Sequence, residues 1–373
     1  MRVLWLTNDL PPQVGGIQRF VDQLIRRVRP EATVVVGPNH PNAERFDDSA
    51  PYRVVRAASR SLLPTPSTLD LVRAVARDHR PAVVVLGATW PLGELGPALS
   101  RDPAVPVVGL THGHEAGLAT VGLGILVRRA TRALAAITTI SDYTETRLRP
   151  HLPDVTVARI PPGVDTDTFH PDVDGSALRH AWGVPAAAPL VGCVSRLVRR
   201  KGQDVLVDAW PAVRRRHVDA WLVLVGDGPL ASRLRRRVQG MPQVVVAGEI
   251  QGPRLPAAYG AIDLFTMPCR TRWFGLDVEG LGSVYLEAQA AGVPVVAGRS
   301  GGAAETVRGG QTGVTVDGRD PDAVAGAIAT LLDDRERRSR MGRAARTWVE
   351  ARWSWEQIAA RFDDLLVAVA SRR

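Results

Sequence analysis

Short runs of apolar, mostly β-branched residues alternate with amphipathic stretches through almost the whole of this 373-residue chain. Runs that are apolar at successive positions are typical of strands buried on both faces, as in parallel sheets covered by helices on each side. In the first part of the chain the pattern predicts strands at 3–7, 33–36, 52–56, 82–86, 105–110, 136–140 and 155–160, with helices at 17–28, 67–79, 123–134 and 142–149. The chain is therefore predicted to adopt an α/β fold.

The alternation pauses once, in a segment rich in proline, aspartate and glycine. Residues 160–175 read IPPGVDTDTFHPDVDG, which is typical of a connection between domains. A second series follows, with strands predicted at 190–194, 221–225, 244–247, 263–267, 295–297 and 313–316 and closing helices at 321–332, 335–348 and 355–369. Two doubly wound domains in series are therefore expected, each binding ligands at the carboxyl ends of its strands.

The formal net charge is +9, and a single one of the 47 basic residues is a lysine, Lys201. The arginine bias reflects composition, so the solitary lysine stands out as a candidate functional residue. No zinc-finger spacing or RNA-binding aromatic motif supports nucleic-acid binding. An anionic small molecule or an anionic membrane surface explains the positive surplus equally well.

The composition also bears on the compartment. Two cysteines, Cys193 and Cys269, are too few for a disulfide framework, which favours a reduced, cytoplasmic setting. The first nine residues, MRVLWLTND, are predicted to form a strand rather than a signal peptide. The longest low-charge run, residues 116–127, is too short to span a bilayer.

The first candidate motif is Val14-Gly15-Gly16-Ile17-Gln18, which follows the first strand and opens a helix. Glycines let the backbone approach an anion closely, and the helix N-terminus offers unpaired N–H groups. A tight turn with no ligand explains the same residues, and the motif lacks the dinucleotide-binding spacing. Both interpretations stay open from these residues alone.

The second motif, Ser-Arg-Leu-Val-Arg-Arg-Lys-Gly at 195–202, lies between a strand and a helix in the second domain. Arg196 can fork onto phosphate oxygens, and Lys201 can reach the same phosphates as a compact charge. A solvated basic loop is the alternative. The strand–loop–helix position and the lone lysine favour a phosphate site.

The third motif places Glu279 and Glu287 eight residues apart, with Gly280 and Gly282 between them. If a helix begins near Gly282, the amides of Leu281 and Gly282 face an anion, while the carboxylates accept hydrogen bonds from sugar hydroxyls. Two surface glutamates are the alternative. The intervening glycines favour a phosphate-type loop.

The fourth motif, Thr-His-Gly-His-Glu at 111–115, follows a strand of the first domain. His112 therefore lies where a ligand-binding residue is expected, although a lone histidine is more often a structural hydrogen-bonding group. Its three candidate metal ligands lie too close together on a short loop to converge on one ion. The Asp-x-Asp triplets at 165–167 and 172–174 are interpreted as turn formers, so no metal site is predicted.

In their order along the chain, these features resemble those of the retaining glycosyltransferase family 4, which has the GT-B fold. The resemblance rests on the Gly15-Gly16 loop, SRLVRRKG at 195–202, GDGP at 226–229, the Glu279–Glu287 pair, AAGVPVV at 290–296 and SGGAAE at 300–305. Longer stretches such as TNDLPPQVGGIQ at 7–18 and THGHEAG at 111–117 resemble an actinobacterial subfamily that transfers mannose from GDP-mannose to phosphatidylinositol mannosides. Trp273-Phe274 departs from that subfamily, in which smaller residues are common.

The resemblance implies two Rossmann-like domains that face a cleft. Residues 1–165 would form the acceptor domain, residues 166–354 the nucleotide-sugar donor domain, and the helix in 355–373 would cross back to the first domain. The reaction would be metal-independent, with no cofactor. The acceptor would be an anionic phospholipid, and the enzyme would lie peripherally on the inner face of the plasma membrane.

The resemblance also implies residue roles. Arg196 and Lys201 would hold the donor diphosphate and stabilise the leaving group, with amides from Gly15 and Gly16. Glu279 would bind the transferred hexose with help from Leu281 and Gly282, and Glu287 would bind the donor ribose. His112 would meet the hexose near its 6-hydroxyl or its reacting carbon. Arg270 would assist the phosphates, and Asp9 would line the acceptor side.

Two basic stretches of the first domain are candidates for membrane contact. One is Arg53, Arg56 and Arg60 ahead of Leu62-Leu63, and the other is Arg128, Arg129 and Arg132 within 123–134. An arginine-rich solvated surface is the alternative. Other functions also stay open: transfer to a soluble acceptor such as an inositol phosphate or aminocyclitol, sugar-nucleotide epimerisation, a pyridoxal-dependent phosphorylase and non-catalytic sugar-nucleotide binding.

Overall fold

The computed structural model describes residues 1–13, 15–102 and 104–372. Val14, which belongs to the predicted glycine motif, lies outside the described residues. The chain divides into two compact units, one formed by Met1–Gly163 with Trp355–Arg373 and the other by Val164–Ser354.

The first unit contains a parallel sheet whose described strands run in the order β3-β2-β1-β4-β5-β6-β7. The strands are β1 (Val3–Leu6), β2 (Thr33–Gly37), β3 (Arg53–Arg56), β4 (Val83–Leu86), β5 (Val107–Leu110), β6 (Ala136–Thr139) and β7 (Thr156–Arg159). The strands predicted in this half are confirmed within two residues at each end.

Helices cover both faces of this sheet. They are α1 (Gly16–Arg27), α2 (Ala43–Ser49), α3 (Pro66–His79), α4 (Gly96–Leu99), α5 (His114–Thr120), α6 (Gly124–Thr131) and α7 (Asp142–Leu148). Two apolar clusters lie on opposite faces of the sheet, because successive strand residues point to opposite sides. Leu4 and Leu6 belong to one cluster, and Val3 and Trp5 belong to the other.

The second unit repeats the arrangement with a parallel sheet in the order β10-β9-β8-β11-β12-β13. Its strands are β8 (Leu190–Val194), β9 (Trp221–Val225), β10 (Val244–Gly248), β11 (Leu264–Met267), β12 (Val295–Gly298) and β13 (Gly313–Val316). Its helices are α8 (Ser176–Ala181), α9 (Gln203–Arg216), α10 (Ala231–Val238), α11 (Leu255–Gly260), α12 (Ser283–Ala290), α13 (Pro321–Asp333) and α14 (Arg335–Trp353).

The last helix, α15 (Trp355–Ala370), belongs to the first unit, as predicted. Trp355 stacks on Phe20 of α1 with ring centroids 6.0 Å apart, and Phe362 packs 5.7 Å from Trp5 of β1. Arg29 forms an ion pair with Asp363, with 2.5 Å between Nε and Oδ1. The C-terminal helix is therefore part of the core of the first unit.

Both sheets reverse their winding direction at one point. In the first unit this switch point lies between β1 and β4, and in the second unit it lies between β8 and β11. Ligands of doubly wound sheets bind at the carboxyl ends of the strands beside such a point. A site is therefore expected in the segments that follow β1, β4, β8 and β11.

No helix in the described parts of the chain combines the length and the apolar character needed to cross a membrane.

Candidate functional site

The switch point of the second unit brings two predicted motifs together. The segment 195–202 follows β8, and the segment that contains Glu279 follows β11. Lys201 Nζ lies 2.7 Å from Glu279 Oε2, and the two side chains are only 10% and 8% exposed. A buried ion pair therefore joins the lysine predicted for the diphosphate to the carboxylate predicted for the hexose.

Several buried polar atoms around this pair have no hydrogen-bond partner among the described residues. They are Arg200 Nε, Gln203 Oε1, Asp204 Oδ1 and Glu279 Oε2, and the last forms ion pairs with Lys201 at 2.7 Å and with Arg200 Nε at 3.7 Å. Buried polar groups are nearly always satisfied in native structures. Unsatisfied donors and acceptors at the switch point can be satisfied there by a polar ligand or by ordered water.

Two helices begin at this site, and each is preceded by a glycine. Gly202 precedes α9 with φ 78°, Gly282 precedes α12 with φ 86°, and neither helix receives a side-chain cap from the described residues. The first-turn N–H groups of a helix have no partners within the helix, and the dipole makes that end positive. Both N-termini therefore offer amides to an anion, and the contacts of the Leu281 and Gly282 amides with a ligand stay a prediction.

The backbone of the 195–202 segment is held by a residue that none of the sequence motifs singled out. Gln203 is fully buried, and its Nε2 donates to Ser195 Oγ at 2.8 Å and to the carbonyl oxygen of Arg196 at 3.0 Å. The side chain of Arg196 is exposed and forms no ion pair within the described residues. Gln203 thus positions the loop and leaves the Arg196 guanidinium available to a ligand.

Arg270, which was predicted to assist the phosphates, is engaged with two groups of the protein. Its Nη2 donates to Asp204 Oδ2 at 2.7 Å, and its backbone N–H donates to the carbonyl oxygen of Arg200 at 2.8 Å. These bonds tie the segment after β11 to the first turn of α9. In this structure Arg270 is committed to positioning the loop that carries Lys201, and its predicted contact with phosphates stays a prediction.

The base of the Glu279 segment is fixed in the same way. Asp277 pairs with Arg272, with Nη1 and Oδ2 2.9 Å apart, and lies 3.6 Å from Arg200. The Glu279 backbone N–H donates to Ser300 Oγ at 3.3 Å. Glu287, on α12, accepts a hydrogen bond from Tyr259 at 2.6 Å, so its carboxylate is oriented but only partly buried.

Both cysteines lie in the second unit and are excluded as nucleophiles by their surroundings. Burial raises the pKa of the Cys193 thiol to about 11 and that of the Cys269 thiol to about 12. We expect neither to react with iodoacetamide at pH 8 in the native protein, because almost no thiolate is present and access is blocked. Mass spectrometry should show both modified after denaturation, and rapid native labelling would contradict the buried placement.

The first unit gathers its predicted residues at the carboxyl ends of β1, β4 and β5. Asp9 follows β1, and its Oδ1 accepts a hydrogen bond from Gln18 Nε2 at 2.7 Å. Gln18 lies in the first turn of α1, which begins at Gly16 and receives no side-chain cap from Gly15. Burial raises the pKa of the Asp9 carboxyl, although the neighbouring His112 and His114 oppose this shift.

His112 is held in one orientation. Its Nε2 lies 2.5 Å from the carbonyl oxygen of Gly87, and its ring meets Phe20 edge-on with centroids 5.7 Å apart. A carbonyl oxygen only accepts, so Nε2 is the donor in this contact. The His112 backbone N–H donates to buried Glu115 at 3.2 Å.

The Asp-x-Asp triplets form turns, as predicted. Asp165 Oδ1 accepts from the backbone N–H groups of Asp167 and Thr168, and Asp174 Oδ1 accepts from Ser176. Within the described chain, no group of three or more His, Cys, Asp or Glu side chains is arranged to hold a metal ion.

The first of the two predicted membrane stretches is wrong in its central residues. Leu62 is fully buried, and Arg56 binds Asp47, with Nη2 and Oδ1 2.6 Å apart, and donates to the carbonyl oxygen of Pro11 at 2.9 Å. Arg53 pairs with Asp78. Arg56 and Leu62 therefore cannot belong to an exposed apolar–basic surface, whereas Leu63 of the same stretch is 54% exposed.

The second stretch has the expected character. On α6 the exposed residues Ile125, Arg128, Arg129 and Arg132 recur at spacings of three and four, so they share one face. Ile125 is 62% exposed, and exposed Val121 and Leu123 precede the helix. Arg129 pairs with Glu94, which leaves Arg128 and Arg132 without an acidic partner in the described residues.

Comparison with known proteins matches the chain along nearly its whole length. The profile described as Glycosyltransferase Family 4 matches residues 14–168, and the profile described as Glycosyl transferases group 1 matches residues 176–348. A protein of Mycobacterium tuberculosis named GDP-mannose-dependent alpha-(1-6)-phosphatidylinositol monomannoside mannosyltransferase is 44% identical, with 98% of each chain covered.

Two further similarities agree with this one. A Corynebacterium glutamicum protein named GDP-mannose-dependent monoacylated alpha-(1-6)-phosphatidylinositol monomannoside mannosyltransferase is 40% identical, covering 98% of this chain and 97% of its own length. The crystal structure of Anabaena HepE in complex with UDP superposes with a TM-score of 0.82 at 21% identity, covering 99% of this chain and 100% of that one. At that identity the structural likeness shows the fold alone, and it confirms the predicted pair of Rossmann-like domains.

Proposed function

Because this chain belongs to glycosyltransferase family 4 and has the GT-B fold, we propose that it transfers mannose from GDP-mannose to a phosphatidylinositol mannoside. It is a hexosyltransferase by descent, since its relatives of 40% and 44% identity are named as mannosyltransferases. The observation that carries the proposal is the pairing of Lys201 with Glu279 at the switch point. A cation suited to a diphosphate and a carboxylate suited to sugar hydroxyls lie side by side there.

The proposed reaction breaks the bond between the anomeric carbon of mannose and the diphosphate oxygen. Positive charge develops on the sugar ring, and negative charge develops on the leaving GDP. Lys201, Arg196 and the N-terminus of α9 are suited to stabilise that negative charge. Glu279 accepts hydrogen bonds from the hexose hydroxyls, and Glu287 accepts them from the ribose.

Retention of anomeric configuration is part of the proposal. In same-face transfer the acceptor hydroxyl attacks the anomeric carbon from the side that the diphosphate leaves, and its proton passes to the departing phosphate oxygen. No side-chain nucleophile is needed, which agrees with the two unreactive thiols. His112 and Asp9 stay predicted as contacts to the hexose and to the acceptor, together with the Gly15 and Gly16 amides as phosphate donors.

The lipid acceptor places the proposed reaction at a membrane surface. The exposed face of α6, with Ile125 beside Arg128 and Arg132, combines an apolar side chain with cationic groups. Such a surface suits an anionic leaflet, because the apolar groups enter the interface while the arginines meet lipid phosphates. We propose that the enzyme lies peripherally on the cytoplasmic face of the plasma membrane, and the exposed face of α6 supports contact with anionic lipid.

The decisive experiment compares donors and acceptors together. The purified protein is incubated with labelled GDP-mannose or UDP-glucose, each with vesicles that contain phosphatidylinositol monomannoside or with a soluble inositol phosphate. Mannose in the lipid fraction supports the proposal. Label that reaches only the soluble acceptor moves the enzyme to small-molecule glycosylation, and donor conversion without transfer points to an epimerase.

Metal independence gives a separate prediction. EDTA at a concentration that strips divalent cations should leave mannose transfer unchanged, because Lys201, Arg196 and the helix N-terminus supply the positive charge that Mg²⁺ provides elsewhere. Adding Mg²⁺ back serves as the control. Loss of activity in EDTA that Mg²⁺ restores would contradict the proposed metal-free mechanism.

A further inference from the structure

A short loop after β11 presents three apolar side chains to solvent. Trp273 is 63% exposed, Phe274 is completely exposed, and Leu276 is 47% exposed. We call residues 272–277 the aromatic tip. Contiguous apolar side chains on a protein surface mark sites of interaction with other molecules. The exposure of these three side chains therefore indicates an interaction site.

The backbone of the aromatic tip is strained and yet well defined. Trp273 and Phe274 both lie in the left-handed region, with φ 48° and 55°, which residues with side chains seldom adopt. Arg272 and Asp277 close the loop through two backbone hydrogen bonds of 2.9 and 3.3 Å. The unfavourable conformation is thus imposed by a closed loop that turns both aromatic rings outward, and strain of this kind concentrates at functional sites.

The base of the aromatic tip is cationic. The Arg272 guanidinium lies 4.5 Å from the centroid of the Trp273 ring, and Arg319 donates to the carbonyl oxygen of Thr271. Asp277 lies 2.9 Å from Arg272 and 3.6 Å from Arg200, so one carboxylate faces two arginines. Arg319 forms no ion pair within the described residues, which leaves a surplus of positive charge. Exposed tryptophan and phenylalanine side chains beside arginines are the combination found at the boundary between acyl chains and anionic headgroups.

We propose that the aromatic tip inserts into the surface of an anionic lipid bilayer and gives the second unit a membrane contact of its own. A sugar-binding role fits less well, because sugar sites are concave and combine rings with converging polar groups. Phe274 instead is completely exposed, with no polar groups of the described residues around its ring that would orient a sugar. The inference rests on the proposed function, in which the acceptor is a lipid, and Asp277 lies two residues from Glu279.

The test replaces the two rings with a residue that tolerates the same backbone. The double variant Trp273→Asn/Phe274→Asn keeps the left-handed conformation accessible, since asparagine adopts it readily. The matched control is Val218→Asn, which removes another exposed apolar side chain of the same unit, 71% exposed. Each protein is sedimented with vesicles of phosphatidylcholine containing phosphatidylinositol, and GDP-mannose binding is measured separately without lipid.

The double variant should partition into these vesicles about ten-fold less than the unmodified protein, while GDP-mannose binding and the Val218→Asn control stay unchanged. Unchanged partitioning would overturn the inference. Mannose transfer is also measured with a short-chain acceptor in free solution. If the double variant loses as much of this transfer as it loses of vesicle partitioning, the inference is also overturned, because the two rings would then contact the substrate. If vesicle binding depends on the aromatic tip but the unmodified protein transfers no mannose, the proposed function is contradicted and the membrane contact is still supported.

Discussion

Lys201→Met should lower kcat/KM for mannose transfer by about 10²–10³-fold, the effect of removing one preorganised charge from a developing anion. It should also lower the free energy of unfolding, by up to about 3 kcal/mol, because Glu279 then stays buried with Arg200, 3.7 Å away, as its remaining cationic partner. Both effects follow from the 2.7 Å contact between side chains that are 10% and 8% exposed. Steady-state kinetics and urea unfolding measure them on the same preparation.

The two effects can be separated by adding Glu279→Gln to the same chain. The neutral pair of Met and Gln removes the buried charge, so stability should return towards that of the unmodified protein. Turnover should not return, because the diphosphate still lacks its cation. Recovery of turnover together with stability would show that Lys201 serves the fold and not the donor.

The strands could be predicted from the sequence because their composition leaves few alternatives. Runs such as Val83–Leu86 are apolar on both faces, and such runs suit only buried parallel strands. The predicted strand at 105–110 begins later, at Val107, because Pro106 has no N–H group for the ladder. Helix α5 begins at His114, in a segment interpreted as a loop, since seven residues with an internal glycine give little helical pattern.

The sequence could indicate the members of the site but not how they pair. Lys201 and Glu279 were both selected by local motifs, yet their ion pair depends on loops that only the order of the sheet brings together. Gln203 was missed because its hydrogen bonds run to backbone atoms, which leave no pattern in sequence. Arg56 and Leu62 were misplaced because charge spacing does not reveal Asp47 as a partner.

Gly202→Ala should destabilise the protein strongly and weaken GDP-mannose binding. A Cβ at this position would lie 2.0 Å from the carbonyl oxygen of Pro268, a contact that forces the backbone to move. The left-handed φ of 78° adds about 1–2 kcal/mol for any L side chain. Overpacking adds about 1–3 kcal/mol more, and the displaced loop is the one that carries Lys201.

Gly240→Ala is the matched control, because Gly240 has the same φ of 78° and a Cβ added there would meet none of the described atoms within 4 Å. It should therefore show the backbone cost alone, about 1–2 kcal/mol in urea unfolding, with GDP-mannose affinity unchanged. The difference between the two variants in the free energy of unfolding is then the cost of the close approach of the loop to Pro268. If both lose the same stability and both bind donor normally, the close approach at Gly202 does not shape the donor site.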